Sequence, residues 1–203
     1  LPAGMLHAQG LPRDATDLLY MAGSAALHGL YVVLLAQTYE AGDLSFVYPL
    51  MRGIGPLLVP VAGVLWLGER LDVWNGLGIV LIVAGIWTLG ERRSRTGRSW
   101  KAFGLAVAVG VAVAAYTLFD KIALDRTGMS PLLLNAVSNV GNFVCLAPLA
   151  LRSGRIGDEW RDNRLSAVLG GLFAAGGYTL FLFALQTSPV SLLAPMREIG
   201  TVF

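Results

Sequence analysis

The apolar positions of this chain gather into long uncharged runs, separated by short clusters of charge. Leu18 to Tyr39 holds 22 residues without a formal charge and is closed by Glu40 and Asp43. Leu44 to Leu71 keeps 25 residues between Asp43 and Glu69 with a single charge, Arg52. At about 1.5 Å per helical residue, such a run covers a hydrocarbon core of about 30 Å. Val73–Gly90, Ala102–Phe119, Gly128–Leu151 and Leu165–Leu185 are further runs of this kind, and a seventh opens after Pro189. The pattern predicts an all-α polytopic membrane protein with about seven transmembrane helices.

The segments between the runs read as loops. Leu1 to Asp17 carries Pro2, Gly4, Gly10 and Pro12 and lacks the continuous apolar run of a signal sequence. Glu69 to Asp72 is a charged turn, and Glu91 to Lys101, with five basic residues and one acid, is the clearest linker. Asp120, Lys121, Asp125 and Arg126 are expected in a short solvated loop; the spacing of the two carboxylates is wrong for a metal or diphosphate site. Arg152 to Arg164 is read as a mixed-charge loop. Trp66, Trp74 and Trp87 stand near run ends, where an interfacial aromatic belt belongs.

The second run is unusual inside. Pro49, Pro56 and Pro60, with Gly53, Gly55 and Gly63, would break a helix facing lipid, so this one is expected inside a bundle. Its pattern returns late in the chain: Met51-Arg52-Gly53-Ile54-Gly55 is echoed by Met196-Arg197-Glu198-Ile199-Gly200. Gln37-Thr38 precedes the first copy and Gln186-Thr187 the second. Matched Gly/Pro-interrupted segments point to the binding site of a repeat-built transporter. The two copies are five spans apart, an odd number, so they are expected to cross the membrane in opposite directions, as inverted repeats do.

Composition narrows the class. Apolar residues make up 55% and charged residues 14% of the 203, with a mean hydropathy of +0.64. That is too little polar surface for a soluble globule. A lone cysteine, Cys145, excludes an internal disulfide and a cysteine-rich metal site. The net charge of +2 lies in loops between apolar runs, without aromatic interleaving, which excludes a nucleic-acid surface. No His-Glu-x-x-His motif, Gly-x-Ser-x-Gly elbow or phosphate-binding Gly-x-x-x-x-Gly-Lys loop is present, so neither an intramembrane enzyme nor an ATP-driven pump is expected, and no cofactor.

Candidate pathway residues are the polar ones inside the runs. His28 stands mid-span, where it either handles a proton or solute or bonds, neutral, to a neighbouring helix. Arg52 either meets an anionic or carboxylate-bearing solute or a backbone carbonyl, or snorkels to the headgroups, and Arg197 is its counterpart in the echo. Asn135, Ser138, Asn139 and Asn142 share one helical face, as glue between helices or as a cavity lining; Asn139 is the pathway candidate among them. Tyr48 and Tyr178 either line a cavity or belong to the belt, and Glu69, at a turn, is expected to be structural.

Several of these residues carry a family likeness. Gly42-Asp43-Leu44-Ser45, Tyr48-Pro49-Leu50-Met51-Arg52, Pro56, Leu67-Gly68-Glu69-Arg70-Leu71, Gly78 and Gly85 resemble an EamA-type repeat of the drug/metabolite transporter superfamily. Ala194-Pro195-Met196-Arg197-Glu198-Ile199 resembles the same segment in the other half, and Leu67 to Leu71 is the most specific piece. The resemblance implies ten helices in two inverted five-helix halves, with the spans here the third to the ninth of a longer chain. Residues 1–90 would then close the first half, 91–101 link, and 102–203 open the second. It also implies a secondary transporter of small organic metabolites or drug-like solutes, working by alternating access in the plasma membrane. Its partners would be the bilayer and a small solute, with either protons or a second solute as what is exchanged. The alternative is a membrane scaffold or regulatory subunit that does not transport. Counting lysines and arginines puts the linker in the cytoplasm, whereas the resemblance puts it outside, and orientation stays open.

Overall fold

The computed structural model describes residues 14–93 and 100–197, and all regular structure among them is helical. In chain order the helices are α1 (Ala15–Ala41), α2 (Leu44–Leu67), α3 (Val73–Arg93), α4 (Trp100–Thr127), α5 (Pro131–Ser153), α6 (Ile156–Leu185) and α7 (Val190–Arg197). Five of them, α1, α2, α4, α5 and α6, are long and apolar enough to span a membrane. The apolar part of α3 is shorter, Val73–Gly85, and α7 is described over 8 residues. The protein is an all-α, multi-pass integral membrane protein.

The helix ends follow from local chemistry. Asp14 starts α1: its Oδ1 accepts from the N–H groups of Thr16 and Asp17 at 3.0 and 3.1 Å, satisfying donors that a first helical turn leaves unpaired. Asp43 does the same for α2, accepting from the Ser45 N–H at 2.9 Å and the Ser45 hydroxyl at 2.8 Å. Gly68 ends α2 with φ 68°, a left-handed conformation that favours a residue without Cβ. Trp66 and Trp74, at either side of that turn, are strongly exposed, as belt residues would be. The side chain of Trp87, the echo residues Glu198 to Gly200 and most of the linker lie outside the described residues.

Two segments expected as loops are helical. α4 does not stop at Phe119 but runs to Thr127, where Gly128 at φ 64° ends it. The charges that suggested solvent are sorted by helical periodicity. Lys121 and Asp125 pair at i, i+4 with 3.0 Å between them, while Asp120 faces inward and is fully buried. The mixed-charge segment likewise belongs mostly to α6, which begins at Ile156 with Asp158 and Glu159 in its first turn, where acids suit the helix dipole. Asn163, at φ −126° and ψ 16°, kinks it where the charged stretch gives way to the apolar one.

The chain forms two compact units. Among the described residues, one comprises the segment up to Val32 with Asp120–Gln186, and the other the rest of the chain between Val33 and Phe119 with the segment from Thr187 to Arg197. In the first, α5 packs on α6, and α1 approaches α5 closely. A Cβ on Gly141 would collide with the backbone of Ala25, and one on Gly29 would meet the Cys145 Sγ. In the second, α2 packs against α3 and α7. Pro56 and Pro60 are buried there, whereas Leu57, Val61 and Leu65 of the same helix are exposed, so α2 packs by its proline face and leaves an apolar face open. α7 begins at the C-terminal end of α2, beside Gly63, and packs along it, so the two run in opposite directions.

Candidate functional site

A buried polar cluster in the first unit is built on Asp120. Tyr116, Asp120, Ala123 and Leu124, spaced three and four apart on α4, are all buried, which puts the carboxylate on the packed face of the helix. Its Oδ1 accepts from the Ser24 hydroxyl at 2.6 Å and its Oδ2 from the Tyr178 hydroxyl at 2.6 Å. The His28 Nε2 lies 3.7 Å from Oδ2. Ser24 Oγ is also 2.8 Å from Ser138 Oγ, which reaches the Leu134 carbonyl at 2.9 Å. α1, α4, α5 and α6 therefore each supply a polar side chain. Ser24, His28, Asp120 and Ser138 are buried and Tyr178 is half-buried.

The geometry fixes one proton and leaves another to be shared. His28 Nδ1 sits 3.0 Å from the Ser24 carbonyl, one turn earlier on α1. A carbonyl can only accept, so Nδ1 carries the hydrogen. Nε2 then faces the carboxylate either as a bare lone pair or as an N–H of imidazolium, and a proton at this place has two bases to choose between. The Tyr178 ring meets the imidazole edge to face, with centroids 5.3 Å apart, and stacks on Phe181 at 5.7 Å.

Beside the cluster, Asn135 donates from Nδ2 to the Ala175 carbonyl at 2.8 Å and contacts Thr179 Oγ1 at 2.6 Å, tying α5 to α6. Asn139 is exposed and its Nδ2 turns back to the Asn135 carbonyl and Oδ1, both at 2.9 Å. The polar face of α5 is thus interhelical glue at Asn135 and Ser138. Lys121, one residue from Asp120, points away from it: Nζ reaches the Leu185 carbonyl at 2.8 Å and Asp125 at 3.0 Å.

The second unit holds the other sequence candidates. Arg52 lies over the Tyr48 ring, 5.4 Å from its centroid, within cation–π range. An open cleft of about 600 Å³ is lined by Tyr39, Leu44, Ser45 and Tyr48. Arg197 closes the described part of α7 and is partly exposed. The structure therefore joins His28 with Tyr178, and Arg52 with Tyr48. Among the described residues, no group of three or more His, Cys, Asp or Glu side chains is placed to hold a metal.

Sequence reasoning missed Asp120, the centre of the first group. The signal was present: Lys121 and Asp125 form a helical i, i+4 pair, and Ile122, Ala123 and Leu124 continue the apolar run past the charges.

Comparison with known proteins agrees with the helical architecture. A model described as the EamA-like transporter family matches residues 100–203, and one described as Small Multidrug Resistance protein matches residues 13–82. The nicotine metabolites export pump subunit NepA of Paenarthrobacter nicotinovorans is 37% identical over 65 residues, 32% of this chain and 56% of that protein. The multidrug resistance protein EbrA of Bacillus licheniformis is 34% identical over 85 residues, 41% of this chain and 77% of that protein. The uncharacterized protein y4nH of Sinorhizobium fredii is 27% identical over 64 residues, 32% of this chain and 55% of that protein. The chain thus spans a little over half the length of NepA and y4nH. No solved structure matches. Because the first match covers just over half of the 203 residues, in a protein built of membrane-spanning helices, the chain belongs to the EamA-like transporter family.

Proposed function

We propose that this protein exports small organic solutes as a secondary transporter, by alternating access between inverted halves, and that Asp120 with His28 is the proton-exchanging centre coupled to solute movement. The single observation that carries this reading is a fully buried carboxylate in a membrane helix, met by a histidine and two hydroxyl donors from two other helices. An ionisable group at such depth is costly and is by default functional. The groups facing Asp120 are Ser24 and His28 of α1 and Tyr178 of α6, with Ser138 of α5 behind Ser24. This set can take up and release a proton with small side-chain rotations. A scaffold without transport gives no reason to bury such a set.

NepA and EbrA, by their names an export pump subunit and a multidrug resistance protein, support small organic solutes as the cargo and export as the direction. Arg52 and Tyr48 are then solute-facing residues of the second unit, and Arg197 and Asn139 further members of the pathway. The family's plasma-membrane location and two-half organisation, with residues 1–90 and 102–203 on either side of the 91–101 linker, belong to the same reading.

The test is flux in proteoliposomes under an imposed pH gradient, normalised to inserted protein. Asp120→Asn keeps the shape but cannot exchange a proton, and flux is expected to fall to background. Asp120→Glu, which keeps the carboxyl, retains part of it. Parental flux and parental pH response in Asp120→Asn would overturn the assignment.

A further inference from the structure

The turn Gly68-Glu69-Arg70-Leu71, the most specific piece of the sequence pattern, takes no part in the Asp120 cluster. Its geometry gives it a different task. The Glu69 N–H returns to the Gly63 carbonyl at 3.1 Å, which folds the chain back on the end of α2 and brings the Glu69 side chain beside Gly63. From there the carboxylate reaches a segment more than a hundred residues away. Oε1 accepts from the Val190 N–H at 2.8 Å and Oε2 from the Ser191 N–H at 2.9 Å. These N–H groups open α7 and have no partner within the helix; the first intrahelical-type bonds come from Leu192 and Leu193, both to Pro189. Val190 and Ser191 are fully buried, so water does not compensate them. Gly63 makes the slot: a Cβ there would lie 2.8 Å from Glu69 Oε2 and 3.3 Å from the Ser191 Cβ.

We propose that Glu69 is a positioning residue for transport, a carboxylate latch that seats the start of α7 on the end of α2 and must open when α7 moves. The seating follows from the contacts above; the opening rests on the alternating-access reading. Gly63, Gly68 and Glu69 act together: one clears the slot, one reverses the chain, one supplies both acceptor oxygens.

Hydrogen–deuterium exchange of the intact protein in lipid nanodiscs reads the latch without any solute. The Val190 and Ser191 amides, at a helix start where exchange is ordinarily fast, are expected to be protected. They should exchange at least about 10-fold faster in Glu69→Gln and Glu69→Ala, the scale of losing a hydrogen bond to a charged group. Gly63→Ala, which keeps the carboxylate but fills its slot, should expose the same amides and serves where a Glu69 variant fails to insert. In flux assays normalised to folded, inserted protein, which removes the drop in maximal rate that lost folding alone would give, Glu69→Gln should lower the maximal rate about 10-fold while shifting the half-saturating solute concentration less than about 2-fold. Unchanged protection in Glu69→Ala and Gly63→Ala would overturn the latch, and an unchanged maximal rate would overturn its part in transport. Asp120→Asn is expected to leave the two amides protected, so failure of the transport reading and failure of the latch are separate results.

Discussion

Two carboxylates, one in each compact unit, meet their partners in opposite ways. Asp120 is held by hydroxyls and faces an imidazole; Glu69 is held by backbone N–H groups. A hydroxyl donates or accepts as its rotor turns, so the neighbours of Asp120 can follow a change in its protonation. A backbone N–H only donates, and it is fixed in direction by the helix it opens. The first arrangement suits exchange and the second suits attachment. Charge near a membrane helix therefore has no single meaning; the chemistry of the donors decides whether it works as a switch or as a fastener.

The sharpest way to break this comparison is to neutralise each acid in turn and read both assays. Asp120→Asn should lose flux and keep amide protection at Val190 and Ser191, whereas Glu69→Gln should lose protection and keep a reduced flux. Loss of both readouts in both variants would mean that the acids belong to one cooperative network. Next in size is Arg52. If its guanidinium meets solute through charge-assisted contacts, Arg52→Ala should lower flux by about 10-fold or more at normal insertion, with Arg52→Lys intermediate because it keeps charge without the planar fork. Parental flux in both variants would assign Arg52 to the interface instead.

Smaller effects test the scaffold around Asp120. Gly141→Ala puts a methyl into the Ala25 backbone and should destabilise the α1–α5 contact by about 1–3 kcal/mol, read as a lower thermal midpoint in detergent. The smallest effect is expected at Lys121, next to Asp120 in sequence but directed to the last carbonyl of α6. Lys121→Met should cost under about 1 kcal/mol of stability and leave flux near the parent, because the contact is a partly exposed helix-end interaction. A large flux loss in Lys121→Met would extend the exchange centre beyond the residues named above.

The helical spans and the packed face of α2 that carries Pro56 and Pro60 were legible because apolar run length and proline placement are local properties that lipid constrains strongly. Asp120 was not legible by the same rule. Counting charges over Asp120 to Arg126 marks a loop, whereas helical phase places Asp120 on one face and the Lys121–Asp125 pair on another. The start of α6 was missed for a related reason: Asp158, Glu159 and Arg161 are compatible with a solvated helix as well as with a loop, and density of charge does not separate the two. His28 and Tyr178 were named singly, and their meeting required a fold that brings residues far apart in sequence together at 5.3 Å. Glu69 was read as structural from its turn position, but its partners on α7 could not be seen in sequence.

The three prolines of α2 have a mechanical consequence. Pro49, Pro56 and Pro60 remove the N–H groups that would have bonded the carbonyls of Ser45, Arg52 and Pro56, so the rod lacks three rungs along its middle. Its far end, from Gly63 to Glu69, is clamped by the reversed turn and by α7. A beam fixed at one end and weakened along its length bends where it is weak. Force applied near Tyr48 and Arg52 would be taken up as curvature between Pro49 and Pro60 and would reach the clamped end as torque.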